Sequence, residues 1–217
     1  MKNQIILFSN IKGGVGKTTL CAIFANYLVE KGIPVFVVDA DLQASLYRHR
    51  EREVSVDPDT TVPWAITQLS TSDFNSLSAT VEKLKTIPGC VLIDCPGNLN
   101  DNNLALIYQA ADIAVVPMTY DSDTVDATGI FVKAFKRCSS AQLIFTPNRI
   151  NSKEGKSEEL RQRSQTVDIL SLIGEVTPRI KQLAAIKRYT TLYPIEAKQL
   201  DAVEPAFQKI MNHIDTK

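Results

Sequence analysis

Eight residues, Lys12-Gly13-Gly14-Val15-Gly16-Lys17-Thr18-Thr19, stand between two apolar stretches. Before them runs Gln4-Ile5-Ile6-Leu7-Phe8-Ser9; after them, from Thr18 to Lys31, Leu20, Ile23, Phe24, Tyr27 and Leu28 recur at helical spacing. The first stretch reads as a central strand buried on both faces of a parallel sheet. The second reads as a helix that Gly32 stops as a C-terminal cap. A loop in that setting presents successive backbone N–H groups, uncluttered by side chains at Gly13, Gly14 and Gly16, at the positive end of a helix. That is a cradle for phosphate oxygens. Lys17 then reaches the β- and γ-phosphates of a nucleotide, and the Thr18 hydroxyl sits on Mg²⁺. A glycine-rich turn without a ligand is the weaker alternative.

The rest of the chain repeats the strand-to-helix pattern. Pro34 resets the backbone into a second buried strand, Val35-Phe36-Val37-Val38-Asp39, and residues 40–60 are polar and turn-rich. Thr71 or Ser72 is placed to cap a helix from Asp73 to about Lys85, with Phe74, Leu77, Val81 and Leu84 inward. Further strands are predicted at 90–94, 114–117, 142–146 and 171–176. Helices are predicted at 101–111, 122–137, 157–168 and towards the C-terminus. Alternation of this kind predicts a three-layer α/β/α sandwich with a mostly parallel central sheet, of the P-loop NTPase type. The 217 residues suffice for one core, and no Pro/Gly/Ser-rich linker divides them, so one domain over residues 1–217 is expected.

Two further clusters end buried strands in acids. Asp39-Ala40-Asp41-Leu42-Gln43-Ala44-Ser45 follows the second strand, and Val91-Leu92-Ile93-Asp94-Cys95-Pro96-Gly97 forms and follows the next. A carboxylate at a strand's C-terminal end faces the ligand crevice of an open α/β sheet. Asp41 is thereby placed to orient an attacking water, Asp39 to support the Mg²⁺ shell and Asp94 to hold the ion through water. Capping of the turn by Asp39 and Asp41 is the alternative.

Taken together these motifs resemble the ParA/MinD ATPase superfamily. The K-G-G-x-G-K-T-T form, with Ile11 where the usual phosphate loop has glycine, resembles the superfamily's deviant Walker A motif, and Ile11 looks more like the ParA branch than the MinD branch. Asp39 to Gln43 resembles the D-x-D-P-Q segment of ParA proteins with Leu42 in place of Pro, and Val91 to Pro96 is similar to the family's Walker B motif. Phe145-Thr146-Pro147-Asn148-Arg149 is similar to the segment where the family places an adenine-reading Asn, which makes Asn148 either that contact or a turn residue. Thr177-Pro178-Arg179 resembles the loop that flanks the base in the family, bringing Pro178 into the candidate ATP site. A first strand beginning at Ile5 leaves no room for an N-terminal helix-turn-helix domain, so the small, single-domain ParA subtype is expected.

The resemblance implies a slow ATPase with ATP and Mg²⁺ as cofactors, and Lys12, Lys17 and Asp41 as catalytic residues. It implies a homodimer that ATP holds together through Lys12, binding of that dimer to DNA without sequence preference, and a ParB-like centromere-binding adaptor that stimulates hydrolysis and release. Charge is consistent with DNA binding: the chain has no net charge, yet residues 133–189 carry 12 Lys and Arg against 5 Asp and Glu. Lys136, Arg137, Arg179, Lys181, Lys187 and Arg188 are the candidate DNA contacts. No apolar run is long enough to span a membrane, and the N-terminus lacks the pattern of a signal peptide. A cytoplasmic, nucleoid-associated protein with no membrane partner is expected. Phe207, Ile210, Met211 and Ile214 form a stripe on the last helix that suits core packing better than a membrane face. Cys21, Cys90, Cys95 and Cys138 form no C-x-x-C pair, which argues against a disulfide frame or an iron–sulphur enzyme. A MinD-like positioning ATPase and a metabolic P-loop enzyme are the competing readings.

Overall fold

The computed structural model describes residues 2–98, 101–151 and 155–215. In chain order the elements are β1 (Gln4–Phe8), α1 (Lys17–Glu30), β2 (Val35–Asp39), α2 (Ser45–Val56), β3 (Ala65–Gln68), α3 (Phe74–Leu84), β4 (Cys90–Asp94), α4 (Leu104–Ala110), β5 (Ile113–Met118), α5 (Ser122–Phe135), β6 (Gln142–Pro147), α6 (Ser157–Ser171), β7 (Glu175–Val176), α7 (Ala184–Lys187) and α8 (Ala197–Met211). The seven strands form one sheet in the order β3-β2-β4-β1-β5-β6-β7, and every pairing is parallel.

Strand periodicity explains why the apolar runs are continuous. Successive side chains point to opposite faces of a sheet. Ile6 and Phe8 accordingly join Leu20 and Phe24 of α1 and Phe207 and Ile210 of α8 in one core. Ile5 and Leu7 join Leu77 of α3, Ile107 of α4 and Phe131 and Phe135 of α5 in the other. Helices thus cover both faces, as the three-layer reading expects. The α8 stripe belongs to the first core: the Phe207 ring meets Phe24 edge-on at 4.9 Å, Ile210 and Ile214 are buried, and Met211 packs against the same cluster. No helix among the described residues is long and apolar enough to cross a membrane.

Several expectations are corrected. Residues 40–60 are not merely turn-rich, since α2 occupies Ser45–Val56; its buried residues are Leu46 and Arg50, so no apolar stripe announces it. The edge strand β3 is half-exposed and carries no apolar alternation. Asp73, rather than Thr71 or Ser72, caps α3 by accepting the Ser76 N–H at 2.7 Å. Phe74 is 54% exposed instead of inward. α6 runs on to Ser171, and the strand expected at 171–176 shrinks to Glu175–Val176.

What holds α2 in place is a buried cation. The Arg50 guanidinium stacks 3.9 Å from the Trp64 ring and donates to the Trp64 carbonyl at 2.7 Å, the Thr191 carbonyl at 2.8 Å and the Thr191 hydroxyl at 2.7 Å. Trp64 in turn donates from its indole nitrogen to the Asn26 side chain of α1 at 2.7 Å. Replacing Arg50 by Met keeps the stem but strips the donors from buried carbonyls, which should cost about 2–4 kcal/mol. Urea unfolding reads this directly, and a loss below about 0.5 kcal/mol would contradict it.

Candidate nucleotide site

The phosphate loop is pinned at its entry by Asn10. This buried side chain donates from Nδ2 to the Pro117 carbonyl and the Thr128 hydroxyl, each at 2.9 Å, and its Oδ1 accepts the Lys12 N–H at 3.3 Å. Gly14 (φ 74°) and Gly16 (φ 101°) adopt left-handed backbone, which a side chain would strain. Gly16 is the N-cap of α1, so the loop delivers its N–H groups at the helix's positive end. Lys17 is buried on the first turn and donates from Nζ to the Lys12 carbonyl at 3.4 Å. Burial pulls its ammonium below the usual lysine range, opposed by the Asp94, Cys95 and Asp41 charges.

Two consecutive residues at the end of β6 grip the loop from the side. Asn148 is buried and donates from Nδ2 to the Val15 carbonyl at 2.8 Å, while its Oδ1 has no hydrogen-bond partner among the described residues. A Cβ on Gly16 would lie 2.3 Å from that Nδ2, so glycine is required for the grip. Arg149, itself at a left-handed φ of 58°, donates from its guanidinium to the Gly14 carbonyl. The sequence reading singled out Asn148 but not Arg149, whose only signal is its place beside Asn148 at a strand's carboxyl end. Asn148 and Arg149 join Gly14, Gly16 and Thr19 in a hollow of about 310 Å³ that Lys181 and Lys187 also line. Pro178, expected there, instead lines a separate hollow with Tyr27, Pro34 and Pro205. The segment that lines the hollow beside the loop is 181–187, a little further along the chain.

The acids stand in one row. Parallel register places Phe8, Asp94 and Asp39 side by side at the carboxyl ends of β1, β4 and β2. Asp94 is fully buried, and neither of its oxygens has a hydrogen bond of ordinary geometry among the described residues. Burial pushes its carboxyl up to about 8, against the pull of the Thr18 hydroxyl and the Lys17 ammonium. An orphaned buried carboxylate beside a hydroxyl suits a hydrated cation borne by phosphates. Asp39 differs, because its oxygens accept the backbone N–H groups of Asp41 at 3.2 Å, Leu46 at 2.9 Å and Tyr47 at 3.0 Å. Burial raises its carboxyl, while those bonds hold it down. It therefore caps the start of α2 from the strand beside Asp94, the alternative weighed above. Asp41 is half-exposed and accepts the Gln43 N–H at 2.9 Å.

Residues 6–188 match the CobQ/CobB/MinD/ParA nucleotide binding domain. The chain belongs to that family. Among curated members of the ParA kind, Protein ParA of Rhizobium radiobacter is 26% identical over 114 residues, 52% of this chain and 48% of that protein. A putative replication protein A of Rhizobium rhizogenes is 43% identical over 65 residues, 29% of this chain and 16% of that protein. The chain spans less than half the length of these relatives. Its fold is shared with a putative plasmid partition protein of Borrelia burgdorferi bound to AMPPNP (TM-score 0.75, 19% identity, 98% of this chain and 100% of that one). The MinD cell division ATPase of Pyrococcus furiosus is as similar (TM-score 0.75, 20% identity, 97% and 99%). A McdA–ATP complex from Cyanothece matches with a TM-score of 0.74 at 17% identity, over 100% and 97%.

Within this ParA/MinD-family fold the six basic candidates do not form one patch. Lys136 and Arg137 follow α5 at the amino edge of the sheet, whereas Lys181 and Lys187 line the hollow beside the phosphate loop. Arg179 and Arg188 are exposed just before and just after the 181–187 segment. Lys12 faces outward from the loop, its Nζ 3.5 Å from Asp123 of α5, on a second cavity of about 680 Å³ that Arg149 and Arg163 also line. Removing the loop's side grip should be measurable: Arg149→Ala is expected to weaken binding of a fluorescent ATP analogue about tenfold, the worth of one charge-assisted hydrogen bond. Unchanged affinity would show that the Arg149–Gly14 contact does not shape the loop.

Proposed function

We propose that the chain is a ParA-type ATPase whose ATP-bound homodimer binds DNA without sequence preference and is released when a ParB-like adaptor stimulates hydrolysis. The observation that carries this reading is Lys12. It sits on the phosphate loop, is half-exposed, and among the described residues its ammonium is tied only to a surface carboxylate at 3.5 Å, so it is free to turn towards the phosphates of a second chain. The curated relative named Protein ParA and the partition protein that shares the fold support the same reading. In it the protein is cytoplasmic and gathers on the nucleoid.

In the binding step, the N–H groups of Gly13 to Thr19 and the Lys17 ammonium receive the phosphates, and the orphaned Oδ1 of Asn148 accepts the exocyclic amine of adenine. Thr18 and, through water, Asp94 would hold the Mg²⁺ that arrives with the phosphates, with Asp39 behind; the ion supplies neutralisation of charge on the transferred phosphoryl group. Asp41, with a carboxylate on the accessible side of the loop, accepts a proton of the attacking water and aligns it. Lys12 of one protomer and Lys17 of the other then share the transition-state charge. The isolated chain hydrolyses slowly, because a group supplied by a partner adds on the order of 10³–10⁵ in such enzymes.

Burial of Phe207, Ile210 and Ile214 in the core leaves α8 no apolar face for lipid, which favours DNA over a membrane as the surface on which the dimer collects. The test is gel-shift binding to an unrelated duplex with ATP, ADP or no nucleotide over a salt series. Binding only with ATP, falling steeply with salt and lost in Lys12→Ala, is expected; binding independent of nucleotide would contradict the switch. Lys17→Ala should abolish ATP binding, Lys12→Ala should keep it while losing the dimer, and Asp41→Ala should trap the dimer unhydrolysed. Sedimentation and phosphate release check all three, and a Lys12→Ala chain that dimerises like wild type would overturn the proposal.

A further inference from the structure

On the carboxyl edge of the sheet, the phosphate loop after β1 has β4 and then β2 on one side and β5 on the other. The two flanks carry opposite charge. On the β2 side, Arg48 and Arg52 lie one turn apart on α2, both exposed, and neither guanidinium has an ion-pair or hydrogen-bond partner among the described residues. With Leu42, which is 81% exposed, they line an open hollow of about 490 Å³. On the β5 side, Asp123 and Asp126 lie exposed on the first turns of α5, and among the described residues Asp123 is engaged only by Lys12.

A basic flank and an acidic flank on either side of one loop make a self-complementary surface. Lys12 reaches a second chain's phosphates only if two phosphate loops face each other, and an isologous pair places its two-fold axis between them. A two-fold axis perpendicular to the line from β2 to β5 lays the β2 flank of one protomer over the β5 flank of the other, twice, whereas an axis along that line would stack like charge on like; the charges of the two flanks select the first arrangement. Lys12 must leave Asp123 to cross the interface, which frees that carboxylate as a new cation approaches. We propose that Arg48 and Arg52 of each protomer pair with Asp123 and Asp126 of the partner subunit in the ATP-bound dimer. The inference rests on the dimer reading above and specifies its contact surface. Nucleotide-driven assembly is then an exchange of ion pairs: the internal Lys12–Asp123 contact gives way to arginine–aspartate contacts across the interface. Pairing of this kind sets the register of the two chains and speeds their encounter at low salt.

Two reversed-charge chains test this, one carrying Arg48→Asp and Arg52→Asp, the other Asp123→Lys and Asp126→Lys. Each alone places like charges across both halves of the interface, whereas a mixed pair restores opposite charges in both. Sedimentation with AMPPNP and Mg²⁺ should show each variant monomeric and the equimolar mixture dimeric, while a fluorescent ATP analogue binds both variants as it binds wild type. The milder Arg48→Gln, Arg52→Gln chain should dimerise about tenfold more weakly. Variants that dimerise alone like wild type, or a mixture that stays monomeric, would overturn the pairing while leaving the dimer itself standing. A wild-type chain that stays monomeric with AMPPNP would overturn the dimer reading and the pairing with it. Loss of DNA binding from intact dimers of the arginine variant would assign this flank to DNA instead.

Discussion

The bond from the Asn148 side chain to the Val15 carbonyl, 2.8 Å long and fully buried, ties the end of β6 to the middle of the phosphate loop. The loop's left-handed turns at Gly14 and Gly16 have no side chains of their own to hold them, so their shape is imposed from outside. Asn10 fixes the entry, Asn148 the centre and Arg149 the flank. Because β5 and β6 pair along their full length, this grip is carried into the middle of the sheet. A phosphate cradle that is preorganised in this way need not be ordered by its ligand, which lowers the cost of binding.

The electrostatics follow from the same layout. One parallel row brings Asp94 and Asp39 to the edge where the phosphates would lie, and their environments separate their tasks. Asp39 is satisfied by three backbone N–H groups and fixes the start of α2; Asp94 has no such partners among the described residues. α2 is thus attached at its start by an acid at the carboxyl edge of the sheet and along its length by Arg50, whose partners at Thr191 lie just beyond the 181–187 segment that lines the hollow. The segments on either side of the nucleotide cradle are joined through one buried guanidinium.

Much of this was legible in the sequence, for physical reasons. Ile5 to Phe8 are apolar without interruption because both faces of β1 are covered, and the glycine loop declared itself because a side chain would strain the turns at Gly14 and Gly16. α2 escaped because its inward residues are Leu46 and Arg50, and an arginine that stacks on Trp64 reads as a surface charge in any periodicity. β3 escaped because an edge strand with half-exposed residues need not alternate. That residues 181–187 line the hollow beside the loop was not legible, since the stretch leading into them has no regular structure and so no period to set its register. Arg149 was invisible because its role depends on a carbonyl 135 residues away.

The central claim is that the gripped loop and the orphaned Asp94 together form a site for a nucleotide carrying a divalent cation. Isothermal titration of the chain with ATP, once in Mg²⁺ and once in EDTA, tests it most directly. The account predicts binding at least tenfold tighter with Mg²⁺, an advantage that Asp94→Asn removes. Equal affinities in the two buffers, or a Mg²⁺ advantage that survives in Asp94→Asn, would contradict it.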